Sequence, residues 1–153
     1  MVTNMKNEEI KENLLELNMT NKMIEDLYHN FSAMKNISDS ASWILYCLKL
    51  VNRPLTQCEL SSMMYLAKQT INSSLQNLIS QGYIELKSSD SKKSKLIYLT
   101  LKGIELASEV ADSMIAAEIN ALLSFTDEKR NEFLKLYKEY GNYLKIQFEK
   151  IMK

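Results

Sequence analysis

The order of patterns between residues 55 and 102 constrains the fold more than any other part of the chain. Thr56 followed three residues later by Glu59 is a capping box, in which each side chain bonds an otherwise free backbone donor. A short helix is therefore predicted to start at Gln57 and to end near Tyr65.

A second helix and two strands follow this first helix. The helix is predicted from Ala67 or Lys68 to Gly82, a residue that can adopt a left-handed cap. Two β-prone segments, residues 83–87 and 96–100, then enclose the polar loop SSDSKKS. A helix pair followed by a β-hairpin is the layout of a winged helix-turn-helix, with the hairpin as its wing, so double-stranded DNA is the first partner to consider.

The flanking segments are helical in pattern. The chain has 153 residues with only three glycines and one proline, which favours a single, mainly α domain with a core of its own. The next helix, SASWILYCLKLV, is expected to be capped by Ser38 or Ser40 and to end before Pro54. An N-terminal apolar stripe recurs at helical spacing, although Asn18, Thr20 and Asn21 leave open whether one helix or two form there: Ile10, Leu14, Leu17, Asn21, Ile24, Tyr28 and Phe31.

The C-terminal third carries two further apolar faces. The first is formed by Ile104, Ala107, Ala111, Met114, Ile115, Ile119, Leu122 and Leu123. Thr126, followed by Asp127 and Glu128, is expected to start a last helix, whose apolar residues are Phe133, Leu136, Tyr137, Tyr140, Leu144, Phe148 and Ile151. These faces exceed what a module of about 50 residues needs as cover, which favours a homodimer. Packing back on the chain's own module is the alternative.

Charge is distributed unevenly although the formal net charge is zero. Residues 53–102 hold seven basic and three acidic residues, so the flanks are acidic in compensation. Residues 60–84 contain no Asp or Glu, as expected of a surface that faces phosphate. The predicted DNA contacts are polar residues of the second helix, lysines of the wing and Arg53: Lys68, Gln69, Thr70, Asn72, Ser73, Gln76, Lys92, Lys93, Lys95 and Arg53, with Lys102 as a further phosphate contact.

The sequence gives little support for other classes of function. It offers no glycine-rich phosphate loop, no metal-ligand cluster and no histidine beside a nucleophile, so neither an enzyme, a cofactor nor a metal site is predicted. No apolar run is long enough for a bilayer and no signal peptide is recognisable, so a cytoplasmic protein is expected.

The sequence resembles the MarR family of bacterial transcriptional regulators. The resemblance is carried by the helix pair ELSSMMYLAKQTINSSLQNLISQGYIE, by LIYLTLKG after the wing, and by the position of the module between helical flanks. It implies a winged helix-turn-helix over residues 40–102 and dimerisation helices over 8–38 and 103–153. It also implies a two-fold dimer on an inverted repeat of about 16 to 20 base pairs, acting as a repressor.

Regulation by a small molecule is a further implication of the resemblance. An apolar or phenolic effector would bind near Tyr28, Phe31, Met34, Trp43, Tyr46 and Met64, although such residues also serve as ordinary core. Redox control is the rival mechanism, since Cys58 lies in the first turn of its helix. We interpret the cysteine instead as a buried structural residue. The alternative function for the whole chain is a protein-interaction module that does not recognise DNA sequence.

Overall fold

A computed structural model describes residues 2–88 and 94–152, with side chains from residue 7 onward. The predicted fold class is confirmed: the protein is mainly helical, with a small antiparallel sheet. The chain divides into two compact units, residues 1–112 and 113–153.

The first unit begins with two helices. Helix α1, Val2–Met34, is continuous, which settles the open question at residues 18–21. No proline or glycine interrupts it there, and the Thr20 hydroxyl donates to the carbonyl of Glu16 within the helix. Helix α2, Asp39–Val51, is capped by Ser38, whose hydroxyl accepts from the backbone N–H of Ala41 at 3.3 Å.

The predicted winged module follows. It comprises β1 (Leu55–Thr56), α3 (Gln57–Met64), α4 (Lys68–Ser80), β2 (Ile84–Ser88) and β3 (Lys95–Leu99). The strands lie in the order β1-β3-β2, with Ile84 opposite Leu99 and Leu55 opposite Ile97. The predicted element boundaries agree with these to within about two residues, the largest difference being the end of α4 at Ser80 instead of Gly82, whereas the two-residue strand β1 was not predicted.

The core of the first unit lies between α2, the helix pair and the sheet. Its largest fully buried side chains include Ile44, Leu55, Leu60, Ile71 and Ile97. Each comes from a different element, so their burial holds the helix pair against the sheet.

The segment after the wing departs from a regular helix. Helix α5, Leu101–Ala107, runs into a π-helical turn, Ser108–Asp112, which ends the first unit. Val110 in this turn is fully buried, as are Ala107 and Ala111, while Ile104 stays 46% exposed. The predicted apolar face therefore omitted Val110 and included a half-exposed residue. The Lys49 ammonium lies 2.9 Å from the Asp112 carboxylate and ties α2 to this turn.

The second unit contains α6, Ser113–Leu123, and α7, Asp127–Ile151. Thr126 caps α7 as predicted, with its hydroxyl accepting from the N–H of Lys129 at 3.3 Å. The rings of Phe125, Phe133 and Tyr137 stack in sequence at the corner between the two helices, with centroids 5.7 Å apart. The predicted apolar residues of α7 are exposed in the single chain.

Candidate nucleic-acid interface

The capping box of α3 sets the start of the helix pair. The Thr56 hydroxyl accepts from the Glu59 N–H at 3.2 Å, and the Thr56 N–H donates to the Glu59 carboxylate at 2.7 Å. The Arg53 guanidinium donates to the same carboxylate at 2.8 Å. The bond from the Thr56 N–H is the largest cause that lowers the pKa of Glu59, and the bond from Arg53 is the next; together they lower it to about 2. Glu59 therefore remains charged at neutral pH and fixes the beginning of α3.

The turn between α3 and α4 is braced by side chains. The Ser61 hydroxyl donates to the carbonyl of Leu66 at 2.8 Å, and the Gln57 amide donates to the carbonyl of Lys68 at 3.2 Å. Tyr65 ends α3 in the left-handed region, with φ of 51°, and its side chain is 95% exposed. These contacts hold the N-terminal end of α4 at a fixed angle to α3.

Helix α4 separates a buried side from a polar side. Ile71, Leu75 and Leu78 are buried and belong to the core. All six predicted contact residues of this helix are exposed: Lys68, Gln69, Thr70, Asn72, Ser73 and Gln76. The helix thus presents hydroxyl, amide and ammonium groups without a carboxylate, a set that can bond base edges and phosphates.

The wing side of α4 borders a surface pocket of about 330 Å³. Lys68 of α4 and Lys95 of the wing both line it, so two predicted contacts come together there. Gln57 and Cys58 also line it, and neither was among the predicted contacts; their place in the first turn of α3, next to the capping box, was the available signal. Lys92 and Lys93 lie outside the described residues.

Two other predicted cations are engaged within the protein. Arg53 pairs with Glu59, as described above. The Lys102 ammonium donates to the carbonyl of Gln81 at 2.9 Å and lies 4.4 Å above the Tyr83 ring. Any phosphate contact by these residues competes with the bonds that they already make.

The interpretation of Cys58 as a buried residue is wrong. Cys47 is buried, and burial raises the pKa of its thiol, but Cys58 is exposed. Its position in the first turn of α3 directs the side chain toward the pocket beside α4 and not toward the core.

The predicted effector residues are only partly brought together. The rings of Tyr28 and Trp43 lie 4.9 Å apart, and those of Trp43 and Tyr46 5.0 Å apart. Phe31 lies under the Lys35 ammonium, Met34 is 65% exposed, and Met64 packs against the module's core.

A surface pocket of about 420 Å³ adjoins this aromatic row. Tyr28 and Trp43 line it together with Lys22, Glu25, Asp26, His29 and Asp39. The bond from His29 to the Asp39 carboxylate, 2.9 Å long, raises the pKa of the imidazole. The rim of the pocket is therefore ionic, in contrast to the apolar site expected for a phenolic effector.

Comparison with known proteins gives the fold a name. No protein-family model matches the sequence. The chain aligns with a MarR family transcription regulator of known crystal structure, SP03579, with a TM-score of 0.74 at 14% identity, over 97% of this chain and 99% of that one. The chain has the MarR fold. The predicted MarR resemblance is thereby confirmed for the architecture.

Two further proteins are similar to this chain, one in structure and one in sequence. The DNA complex of MepR from S. aureus aligns with a TM-score of 0.71 at 17% identity, over 84% of this chain and 93% of that one. An uncharacterized HTH-type transcriptional regulator of Bacillus subtilis, YwoH, is 28% identical over 102 residues, which is 66% of this chain and 74% of that protein. Within the described part of the chain, no helix has the length and apolar character to cross a membrane.

Proposed function

We propose that the protein is a dimeric, sequence-specific DNA-binding transcription regulator, located in the cytoplasm, that represses from an inverted-repeat operator. The observation that carries this proposal is the polar, carboxylate-free outer side of α4, which the braced turn presents to solvent. A solved protein of the same fold is bound to DNA.

Base recognition is assigned to the amides of α4. A glutamine or asparagine can bond the N6 and N7 atoms of adenine with both ends of its amide, and each such pair discriminates by about 1–3 kcal/mol. Gln69 and Asn72 occupy the first two turns of α4, the end that enters the major groove in helix-turn-helix docking. Thr70, Ser73 and Gln76 extend this surface.

Charge-dependent affinity is assigned to lysines on the wing side. Lys68 and Lys95 line one pocket and can face the same phosphate backbone. Lys92 and Lys93 join them in the proposal from their positions in the sequence. Each phosphate contact made by a lysine releases condensed counterions, so binding weakens as salt concentration rises.

Dimerisation is assigned to the helical flanks, residues 8–38 and 103–153. Along α1, Leu15, Met19, Met23 and Leu27 form an apolar row that the single chain leaves exposed. The apolar residues of α7 are exposed as well. A second copy of the chain is the partner that would cover these faces, and two-fold symmetry would present two α4 helices to an inverted repeat of about 16 to 20 base pairs.

We also propose that a small effector releases the protein from DNA. The aromatic row of Tyr28, Trp43 and Tyr46 is the part of the predicted pocket that supports it. An effector bound there would contact both α1 and α2, and α2 packs on α4 in the core. That packing would carry the effect of a bound effector from α2 to α4, the proposed recognition helix.

The test is selection of the purified protein against a random double-stranded DNA pool at about 150 mM salt. An enriched inverted repeat, with affinity measured by fluorescence anisotropy, is the expected result. The double variant Gln69→Ala/Asn72→Ala should lose sequence preference while retaining nonspecific binding. Asn18→Ala, an exposed amide residue of α1 outside the α4 surface, serves as the control.

Unchanged preference in the double variant would refute the assignment of Gln69 and Asn72. A folded dimer that binds no DNA at any salt concentration would refute the regulator and favour a protein-interaction module.

A further inference from the structure

A second surface pocket borders α4 on the side away from the wing. It has a volume of about 550 Å³ and lies between α4 and the start of α2. Seven of its eight lining residues carry a hydroxyl or an amide, and none is charged: Ser38, Ser40, Ala67, Gln69, Thr70, Ser73, Ser74 and Asn77. This set of residues is called the hydroxyl flank below.

This flank and the pocket of about 330 Å³ on the wing side, called the wing pocket below, lie on either side of the exposed surface of α4. On α4, Lys68, Asn72 and Gln76 recur every four residues and line the wing pocket. Ser73 and Asn77 form a parallel row on the hydroxyl flank. Since residues four apart share a helix face, these rows run side by side along α4.

A helix in the major groove has one phosphate backbone on each side. The wing pocket supplies lysines for one backbone. We propose that the hydroxyl flank binds the phosphates of the other backbone through neutral donors, chiefly Ser40, Thr70 and Asn77. This inference rests on the proposed DNA-binding function and adds Ser38, Ser40 and Asn77 to the contacts considered above.

The chemistry of the flank suits phosphate. Serine, threonine and asparagine side chains are among the groups that bond phosphate oxygens in protein–DNA complexes. The Ser40 hydroxyl lies 2.6 Å from that of Ser74, which is buried in α4, and 3.5 Å from that of Ser38. This short row of hydroxyls fixes the start of α2 relative to α4.

One carboxylate lies close by in sequence. Asp39 precedes Ser40, but its carboxylate bonds the His29 ring at 2.9 Å and lines the pocket beside α1. It is not among the residues that line the hydroxyl flank. Repulsion of a phosphate at this flank is therefore limited by the pairing of Asp39 with His29.

The two sides of α4 should differ in their response to salt. A neutral donor releases no counterion of its own, so its removal lowers affinity without changing the dependence of log K on log salt. Removing a lysine from the wing side should instead reduce that slope by about one. Adding a lysine to the hydroxyl flank should increase it by about the same amount.

The experiment measures anisotropy of a random-sequence 30-base-pair duplex with the full-length chain over a range of salt concentrations. Ser40→Ala and Thr70→Ala should each bind about 3- to 10-fold more weakly at an unchanged slope. Ser40→Thr, which keeps a hydroxyl, should retain more of the affinity. Asn77→Lys should bind more tightly with a steeper slope, whereas Asn18→Lys, the same change on α1, should not.

The outcomes separate the two proposals. Wild-type affinity in Ser40→Ala and Thr70→Ala, together with equal slopes for Asn77→Lys and Asn18→Lys, would overturn the hydroxyl flank and leave the regulator intact. No binding of the duplex by the wild-type chain would overturn the DNA-binding function itself. Because Asn77→Lys gains binding, a loss of folding in the alanine variants cannot imitate the expected result.

Discussion

Replacing Gly103 by alanine should destabilise the protein even though the residue lies in a helix. A Cβ atom at this position would lie 1.8 Å from the carbonyl oxygen of Tyr83 and 2.8 Å from its carbonyl carbon. Non-bonded atoms of this size separate to about 3.5 Å at the least cost. The start of α5 and the base of the wing would therefore have to move apart by well over an ångström.

The energetic cost follows from the contacts at this junction. Forcing an extra carbon into a packed site costs about 1–3 kcal/mol. The Tyr83 carbonyl also accepts from the Thr100 N–H at 3.1 Å, and Thr100 caps α5 by accepting from the Gly103 N–H at 3.0 Å. Disturbing these bonds adds a cost of about 1 kcal/mol, and the higher helix propensity of alanine offsets a cost of about the same size. The expected net loss in the free energy of unfolding is about 2 kcal/mol.

Urea unfolding followed by circular dichroism measures this loss. Gly141→Ala in α7 is the matched control, because a Cβ there meets no atom within 4 Å. That variant should gain about 0.5–1 kcal/mol from helix propensity alone. If Gly103→Ala proved as stable as the wild type, the close approach of α5 to Tyr83 would be refuted.

Three other residues of the module give separate predictions. Tyr65→Gly should stabilise the protein by up to about 1 kcal/mol in urea unfolding, because glycine adopts the left-handed conformation without strain; lower stability would contradict this. Glu59 should contribute about 1 kcal/mol after allowance for solvent screening, since its folded pKa of about 2 lies below the unfolded value. That contribution is present above about pH 4.5 and lost as the pH falls toward 2, so the difference in urea midpoint between wild type and Glu59→Gln should shrink on acidification; a constant difference would contradict it. Cys58 should react with a maleimide faster than Cys47, whose thiol is buried with a raised pKa, and equal labelling rates would contradict the exposure of Cys58.

Local signals made most of the winged module predictable. A capping box is specified by residues three apart, so Thr56 and Glu59 located the start of α3 without reference to the rest of the chain. Gly82, with φ of 75°, likewise marks the end of α4 by its own backbone conformation, without reference to distant residues. The exposed polar residues of α4 followed from helical periodicity. Their contact with DNA remains a prediction.

Contacts between residues distant in sequence account for two features that the sequence alone does not predict. Strand β1 has two residues and exists because Leu55 and Thr56 pair with β3, about 40 positions later. Val110 is a different case, because it lies three residues after Ala107 and four before Met114, so helical spacing alone would have placed it on the predicted face. The exposure of Cys58 depends on which side of α3 the sheet and α4 cover. Neither strand β1 nor the exposure of Cys58 has a signature within a short window of sequence.

The charges of the module show how a chain without net charge can carry a positive surface for the proposed DNA contact. Glu59 and Glu85 are held by Arg53 and by Lys87, at 2.8 and 2.7 Å. These pairs are local and exposed, so they neutralise the carboxylates near the helix pair and the wing while adding little to stability. The positive charge that faces the wing pocket comes from Lys68 and Lys95. Arg53 is in consequence better placed to secure the capping box of α3 than to hold a phosphate, and its effect on DNA would pass through the position of the helix pair.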